Sequence, residues 1–215
     1  MAEVKIYWFE FHEQALSKDA VTELNKVLHH EFLLDFESAL PAHKVSFYAK
    51  WMLHKILEKD FSLKNALSTF TKDQHGKPSI QQENLHFNIS HSGKLISIAI
   101  CETAEIGLDI QQVKKYSEGV AKRIFCSEET ELYLDAVEKS TFFFDTWSKK
   151  EASVKATGLG IKTGLSTFSV AEKTVYLDNK QLHLQEVKIK KGYSSAIAVN
   201  HPISKIIIKE YRHEI

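Results

Sequence analysis

The period of apolar positions changes several times along this chain, and each change marks an element. Val4 to Phe11 has the pattern of a β-strand, and Asp19 to His30 that of a helix capped near Ser17. Behind Pro41, the residues Val45, Tyr48, Ala49, Met52, Leu53 and Ile56 recur at helical spacing, which predicts a long amphipathic core helix. Gly76-Lys77-Pro78 marks a turn, and three short strands follow at His86–Ser90, Leu95–Ile100 and Ile106–Ile110, the first two joined at Ser92-Gly93. The scheme then repeats more loosely. Helical patterns cover Val120–Phe125, Glu128–Glu138 and Phe142–Thr157, with strands expected around Phe168, Val175, Leu182, Val187, Ala196 and Ile207. A helical block followed by antiparallel strands thus occurs twice. The expected fold is α+β, built of two similar halves, 1–104 and 105–215.

Composition narrows the function classes. With 43% of 215 residues apolar the chain can bury a full core, and with three prolines, eight glycines and no low-complexity linker its elements should follow one another closely. Its 28 basic residues balance 28 acidic ones, so no global field draws it to nucleic acid or to an anionic membrane, and any anion site must be local. The apolar clusters are as short as Ile6-Tyr7-Trp8-Phe9 and Ile206-Ile207-Ile208, far below the roughly 20 residues of a membrane helix. Met1 leads into a charged stretch with Glu3 and Lys5, and Cys101 and Cys126 are the two cysteines, so a cytoplasmic protein with free thiols is expected.

Three segments concentrate polar groups. In Phe87-Asn88-Ile89-Ser90-His91-Ser92 two hydroxyls and an imidazole close a strand, an arrangement that in a turn suits an anion such as phosphate. In Ile106-Gly107-Leu108-Asp109-Ile110-Gln111, strand alternation puts Leu108 and Ile110 on one face and Asp109 and Gln111 on the other. Two oxygen-bearing side chains on one face are half of a hard-metal site, because Mg²⁺ takes one or two carboxylates together with waters and substrate phosphates. Alone, the same pattern describes the polar face of an edge strand. In the helix that holds Trp147, Glu151 and Lys155, spacing by four puts all three on one side, and Gly158 can close the helix. A Glu–Lys pair at this spacing is otherwise a surface salt bridge worth about 0.3 to 0.5 kcal/mol.

Taken together and in order, these segments resemble the signature of the Sfp-type 4′-phosphopantetheinyl transferases. That signature is Gly-Lys-Pro, then Phe-Asn-x-Ser-His-Ser, then Gly-(Ile/Leu/Val)-Asp-Ile, then Trp-x-x-Lys-Glu-(Ala/Ser)-x-x-Lys with a nearby Gly-x-Gly. It is matched by Gly76–Pro78, Phe87–Ser92, Gly107–Ile110, and Trp147, Lys150, Glu151, Ala152 and Lys155 ahead of Gly158 and Gly160. The resemblance spans about Lys77 to Gly160 and implies a pseudo-twofold monomer with its active site in the cleft between the halves. Its co-substrate would be coenzyme A, its acceptor an apo acyl- or peptidyl-carrier protein, and its metal Mg²⁺. Position by position, Lys77, Ser90 and His91 resemble residues that hold coenzyme A, and Asp109 and Glu151 the metal-binding carboxylates. Lys155 resembles the lysine beside the pyrophosphate. Two positions depart from the pattern. Gln111 stands where many relatives carry a glutamate, and for the 3′-phosphate the nearest matches are Lys44 and the neighbouring His43.

The implied reaction is attack of a carrier serine on the β-phosphate of coenzyme A, with release of 3′,5′-ADP. Glu151 would serve as base, Lys155 would stabilise the leaving phosphate, and a metal on Asp109, Gln111 and Glu151 would neutralise charge. A metal-dependent pyrophosphate hydrolase could use the same carboxylates with water, and a coenzyme-A-binding or carrier-docking module could keep the site without catalysis. Phosphate-loop and serine-hydrolase readings fail, since the chain has neither G-x-x-x-x-G-K-[ST] nor G-x-S-x-G.

Overall fold

The structure is a computed structural model that describes residues 1–12, 17–33, 35, 40–81, 84–160 and 164–211. The first half opens with β1 (Ala2–Glu10), α1 (Lys18–Val27) and α2 (Pro41–Phe61). Ser17 caps α1 through its side chain, which accepts from the Ala20 N–H at 3.1 Å, and Pro41 occupies the first turn of α2, where no N–H is needed. The short β2 (Thr71–Lys72) and β3 (Pro78–Ser79) flank the Gly76 turn and lead into β4 (His86–Ser92), β5 (Leu95–Cys101) and β6 (Ile106–Gln112). After these come α3 (Glu118–Ile124), α4 (Ser127–Asp135), α5 (Lys139–Thr157), β7 (Thr174–Leu177), β8 (Lys180–Glu186), β9 (Tyr193–Val199) and β10 (Ile203–Glu210).

Two four-stranded sheets result, in the orders β10-β1-β5-β4 and β6-β9-β8-β7. Each is covered by one long helix, so the chain is α+β with two similarly built halves. The halves interlock in sequence, because β10 returns to pair in parallel with β1 in the first sheet. Strand alternation explains the layering. Tyr7, Phe9, Ile96, Ile98 and Ile100 face α2, against Phe47, Met52, Leu53 and Ile56. The opposite residues, Val4, Ile6, Leu95, Ala99 and Cys101, face the second sheet at Leu108, Ile110, Ile197 and Val199. β5 is therefore apolar on both faces and reads as a nearly continuous hydrophobic run. The outer face of the second sheet packs Ala196 and Ala198 on Ala152 and Ala156 of α5. Among the described residues, no helix is long and apolar enough to cross a membrane.

Two expected strands are absent, for reasons visible in their hydrogen bonds. Near Phe168 the backbone is satisfied by side chains: Lys150 Nζ donates to the Leu165 and Phe168 carbonyls, and the Val170 N–H donates to Glu129 Oε1 at 2.8 Å. Lys150 and Glu129 are themselves a fully buried ion pair at 2.8 Å. At Val187 the ladder makes its last bond, from the Val187 N–H to the Ser195 carbonyl at 2.9 Å; the Val187 carbonyl accepts instead from the Ser195 hydroxyl at 2.7 Å, so β8 ends at Glu186 while Val187 stays buried between the sheets. The helix expected from Phe142 begins at Lys139.

Candidate active site

Gly107 sets the geometry of the site. A Cβ there would stand 2.0 Å from the Ala152 carbonyl oxygen and 2.5 Å from the Ala156 nitrogen, so only glycine lets the backbone of α5 lie directly on β6. That contact brings Glu151 and Lys155, one turn apart on α5, over Asp109 on β6. Gly158 then ends α5 in a left-handed conformation with φ +78°.

Asp109 is the centre of the cluster and is buried. Its Oδ1 accepts from Lys155 Nζ at 2.6 Å and from the Ser90 hydroxyl at 3.0 Å, and its Oδ2 accepts from Gln111 Nε2 at 2.8 Å. Lys155 also donates to Ser90 Oγ at 3.0 Å and to the Leu108 carbonyl at 3.2 Å. Lys155 therefore pairs with Asp109 of β6, within the second half, and among the described residues no ion pair joins it to Glu151, so the surface salt bridge is not formed. Glu151 is buried; burial first, and then the charge of Asp109, raises its pKa, while Lys155 opposes the rise.

Both halves line one cavity of about 440 Å³ beside this cluster, with Lys77, Asn88 and Ile89 on one wall and Glu151, Lys155 and Gly158 on the other. Lys77 is placed by a turn in which Asp73 Oδ1 accepts from the N–H groups of His75 and Lys77 at 2.8 and 2.9 Å. Its ammonium donates to the Ala156 carbonyl at 2.8 Å, clasping the last turn of α5, and burial lowers its pKa. Through Gly76, Pro78 and Ile89 this cavity adjoins one of about 170 Å³ that is lined by Ser46, Lys50, Phe70, Lys72 and His91.

The structure rearranges the Phe87–Ser92 segment relative to its sequence reading. β4 continues through Ser92, and the connection to β5 is made by Gly93 and Lys94, with Gly93 at φ +57°. Ser90, His91 and Ser92 are thus successive strand residues and not members of one turn, so the imidazole lies on the opposite face from the two hydroxyls. His91 lines the smaller cavity, whereas Ser90 is buried behind both and lines neither. Lys44, half buried in the first turn of α2, also lines neither cavity.

Lys50, further along α2, was not anticipated. Its ammonium donates to Ser46 Oγ at 3.1 Å, and burial, followed by the nearby charge of Lys72, lowers its pKa to about 8. A signal existed in the sequence: Lys50 lies a turn from both Phe47 and Leu53, on the flank of the apolar stripe, where a lysine cannot reach water freely.

Among the described residues no three His, Cys, Asp or Glu side chains converge as metal ligands. The donor set here is two carboxylates, Asp109 and Glu151, with the Gln111 amide. It nevertheless suits a hard divalent cation. The negative charge of Asp109 raises the Glu151 pKa, a repulsion that a shared cation would relieve, and Gln111 keeps a carbonyl oxygen beyond the N–H it gives to Asp109.

Comparison with known proteins follows the same residues. The family model described as the 4′-phosphopantetheinyl transferase superfamily matches residues 105–200. The 4′-phosphopantetheinyl transferase Sfp of Bacillus subtilis (strain 168) is 29% identical over 161 residues, covering 70% of this chain and 71% of that protein. The 4′-phosphopantetheinyl transferase ffp of Bacillus subtilis is 30% identical over 164 residues, with coverages of 70% and 71%. The psf-1 transferase of Bacillus pumilus is 35% identical over 121 residues, covering 55% of this chain and 52% of its own length.

Proposed function

Because this chain belongs to the 4′-phosphopantetheinyl transferase superfamily, we propose that it moves the 4′-phosphopantetheine arm of coenzyme A onto a serine of an apo acyl- or peptidyl-carrier protein. Adenosine 3′,5′-diphosphate leaves. The observation that carries this reading is the convergence of Asp109, Glu151 and Lys155 at one end of a cavity walled by both halves of a single chain. A cleft completed within one chain also favours a monomer.

Coenzyme A lies in the 440 Å³ cavity, with Lys77 near its pyrophosphate, and the smaller cavity with Lys50, Lys72 and His91 takes a further phosphate of the nucleotide. The carrier serine attacks the β-phosphorus: one oxygen–phosphorus bond forms, the bond to the bridging oxygen breaks, and the serine proton passes to Glu151. Glu151 is placed for this by α5, which sets it on the wall of the same cavity. Lys155, whose three hydrogens go to Asp109, Ser90 and the Leu108 carbonyl, turns one of them to the departing phosphate oxygen, where charge grows as the bond breaks. Asp109, Glu151 and the Gln111 carbonyl would hold Mg²⁺, which supplies charge neutralisation on the pyrophosphate.

The test is incubation with Mg²⁺, coenzyme A and apo-carriers from fatty-acid, polyketide and peptide synthesis, followed by mass spectrometry of the carrier. A gain of one phosphopantetheine, lost in Lys155→Ala, is expected. If coenzyme A binds but no carrier is modified, the protein is a binding module; if phosphopantetheine is released without a carrier, it is a hydrolase. Either result overturns the proposal.

A further inference from the structure

Among the described residues two lysines are buried, Lys50 and Lys150, and their surroundings differ. Lys150 has its charge matched: it pairs with Glu129 at 2.8 Å and also donates to the Leu165 and Phe168 carbonyls. Lys50 has no such match. Among the described residues no carboxylate pairs with it, and its hydrogen bonds go to the Ser46 hydroxyl at 3.1 Å and, more weakly, to the Ser46 carbonyl at 3.4 Å. The Phe70 ring centroid lies 5.8 Å from its nitrogen. A cation so placed gives up its proton readily, which is why burial, and then Lys72, brings the pKa to about 8.

Lys50 faces the cavity of about 170 Å³, whose wall also carries Ser46, Lys72 of β2 and His91 of β4. Among the described residues no carboxylate lines it, so it offers donors and positive charge to an anion such as phosphate. Lys72 and His91 are the titratable groups that share this wall with Lys50, and burial followed by the charge of Lys155 lowers the His91 pKa. At pH 7.5 roughly a quarter of the Lys50 amine is unprotonated, against about one in a thousand for an ordinary lysine. Phosphate donors and a nucleophilic amine therefore line one small space. The electrophiles that fit both are acyl phosphates, in which one oxygen joins a phosphate to an activated carbonyl.

We propose that Lys50 is a modification site, whose amine takes the acyl group of a small acyl phosphate held through its phosphate by Lys72 and His91. Lys50 Nζ attacks the carbonyl carbon, the nitrogen–carbon bond forms, and the carbon–oxygen bond to phosphate breaks with its electron pair on the oxygen. The amine proton goes to the departing phosphate, so the products are an amide and inorganic phosphate. The amide carries no charge. Coenzyme A then binds more weakly, because the smaller cavity has lost one of its cations. That consequence rests on the transferase reading above; the acylation itself does not. A less basic amine is also a weaker nucleophile, which returns roughly a factor of 20 of the roughly 200-fold gain in free amine and leaves Lys50 about tenfold faster than an exposed lysine.

The experiment incubates the folded protein with acetyl phosphate at pH 7.5 and follows acetylation lysine by lysine through peptide mass spectrometry. Lys50 should be acetylated about tenfold faster than the exposed Lys64 and Lys191, while the paired Lys150 stays unmodified. Excess inorganic phosphate should slow Lys50 about fivefold and leave Lys191 unchanged. Lys50→Gln, which mimics the acylated side chain, and protein acetylated at Lys50 should both bind coenzyme A about tenfold more weakly in calorimetry. Lys50→Arg keeps the charge and should stay within about threefold of wild type, before and after the same treatment, which accounts for acetylation elsewhere. The site is overturned if Lys50 is acetylated no faster than Lys191, or if phosphate gives it no protection. Unchanged affinity after acetylation of Lys50 overturns the effect on coenzyme A. If Lys50 is acetylated as expected but the wild type binds no coenzyme A, the transferase reading falls and the modification site stands.

Discussion

Replacing Gly107 with alanine adds one carbon at the closest approach of α5 to β6. That carbon would lie 2.0 Å from the Ala152 carbonyl oxygen and 2.5 Å from the Ala156 nitrogen, whereas real Cβ atoms essentially never approach a neighbour within 3.0 Å. Both neighbours are helix backbone, so no side chain can swing aside, and α5 must withdraw by roughly 1 Å (3.0 less 2.0). The Lys155–Asp109 pair, 2.6 Å long, would then stretch to about 3.6 Å, outside hydrogen-bond range. Glu151 and Lys155 ride on the helix together, so the whole catalytic face moves against Asp109. Overpacking of this kind costs about 1 to 3 kcal/mol, which lowers Tm by roughly 2 to 12 °C for a chain of this size. A 1 Å displacement of reacting groups lowers kcat by about 100-fold. The assay is carrier modification at a temperature well below the variant's Tm, with coenzyme A affinity and thermal unfolding measured in parallel. A Gly107→Ala protein with unchanged Tm and kcat within about threefold of wild type would refute the reasoning, since the close contact would then constrain neither fold nor site.

Three further outcomes are expected. Lys150→Met or Glu129→Gln strands one member of a pair in which both side chains are almost fully buried, so each should lose about 3 to 5 kcal/mol in urea denaturation, and the double replacement by apolar residues should recover much of it. Lys50 is charged below its pKa of about 8 and neutral above it, so coenzyme A affinity should fall as pH rises from 7 to 9. Calorimetry should show a loss of about tenfold in the wild type, and a flat, weaker profile in Lys50→Met. Asp109→Ala removes a charge and leaves Lys155 without its partner, and should nearly abolish transfer; Gln111→Ala should cost far less, and Gln111→Glu should lower the Mg²⁺ concentration needed for half-maximal rate. A Mg²⁺ titration of all three decides this, and equal inactivity of Gln111→Ala and Asp109→Ala would contradict it.

Local periodicity made elements such as β1 and α2 readable, because their apolar positions recur at strand or helix spacing, whereas β5, buried on both faces, shows as a continuous apolar run. The alternation that put Asp109 and Gln111 together on β6, away from Leu108 and Ile110, survives intact in the structure, where Gln111 donates to Asp109. Long-range satisfaction was not readable. The segment near Phe168 looks like a strand in composition, but its polar backbone groups are taken by Lys150 and Glu129, side chains from elsewhere in the chain, and at Val187 the carbonyl is taken by the Ser195 hydroxyl. The same limit applies to Ser90, whose hydroxyl suits an anion in isolation and in the fold also meets Asp109, Ile110 and Lys155. Lys44 and Lys50 show the converse: both stand on α2, and only the packing of that helix against Phe70 and Ile89 brings Lys50, and not Lys44, to a cavity.

Two opposite devices set the dimensions of the cleft, and Asp109 lies between them. On one side of β6, Gly107 removes a side chain so that α5 can come within backbone contact of the strand. On the other, Asn88, Ser90 and Ser92 interpose side chains where a direct ladder would have drawn β4 closer. The Asp109 carboxylate and the Lys155 ammonium meet at Ser90. Side chains that satisfy the edge of β6 also keep it from acting as a free template for another strand. The cost of burying Asp109 is met by the donors around it, two on Oδ1 and one on Oδ2, so its carboxylate is held oriented before any substrate arrives. A site assembled in this way depends on two spacings at once, that of α5 on β6 and that of β4 against β6, and a methyl group at position 107 should injure turnover by moving Lys155 and Glu151 away from Asp109.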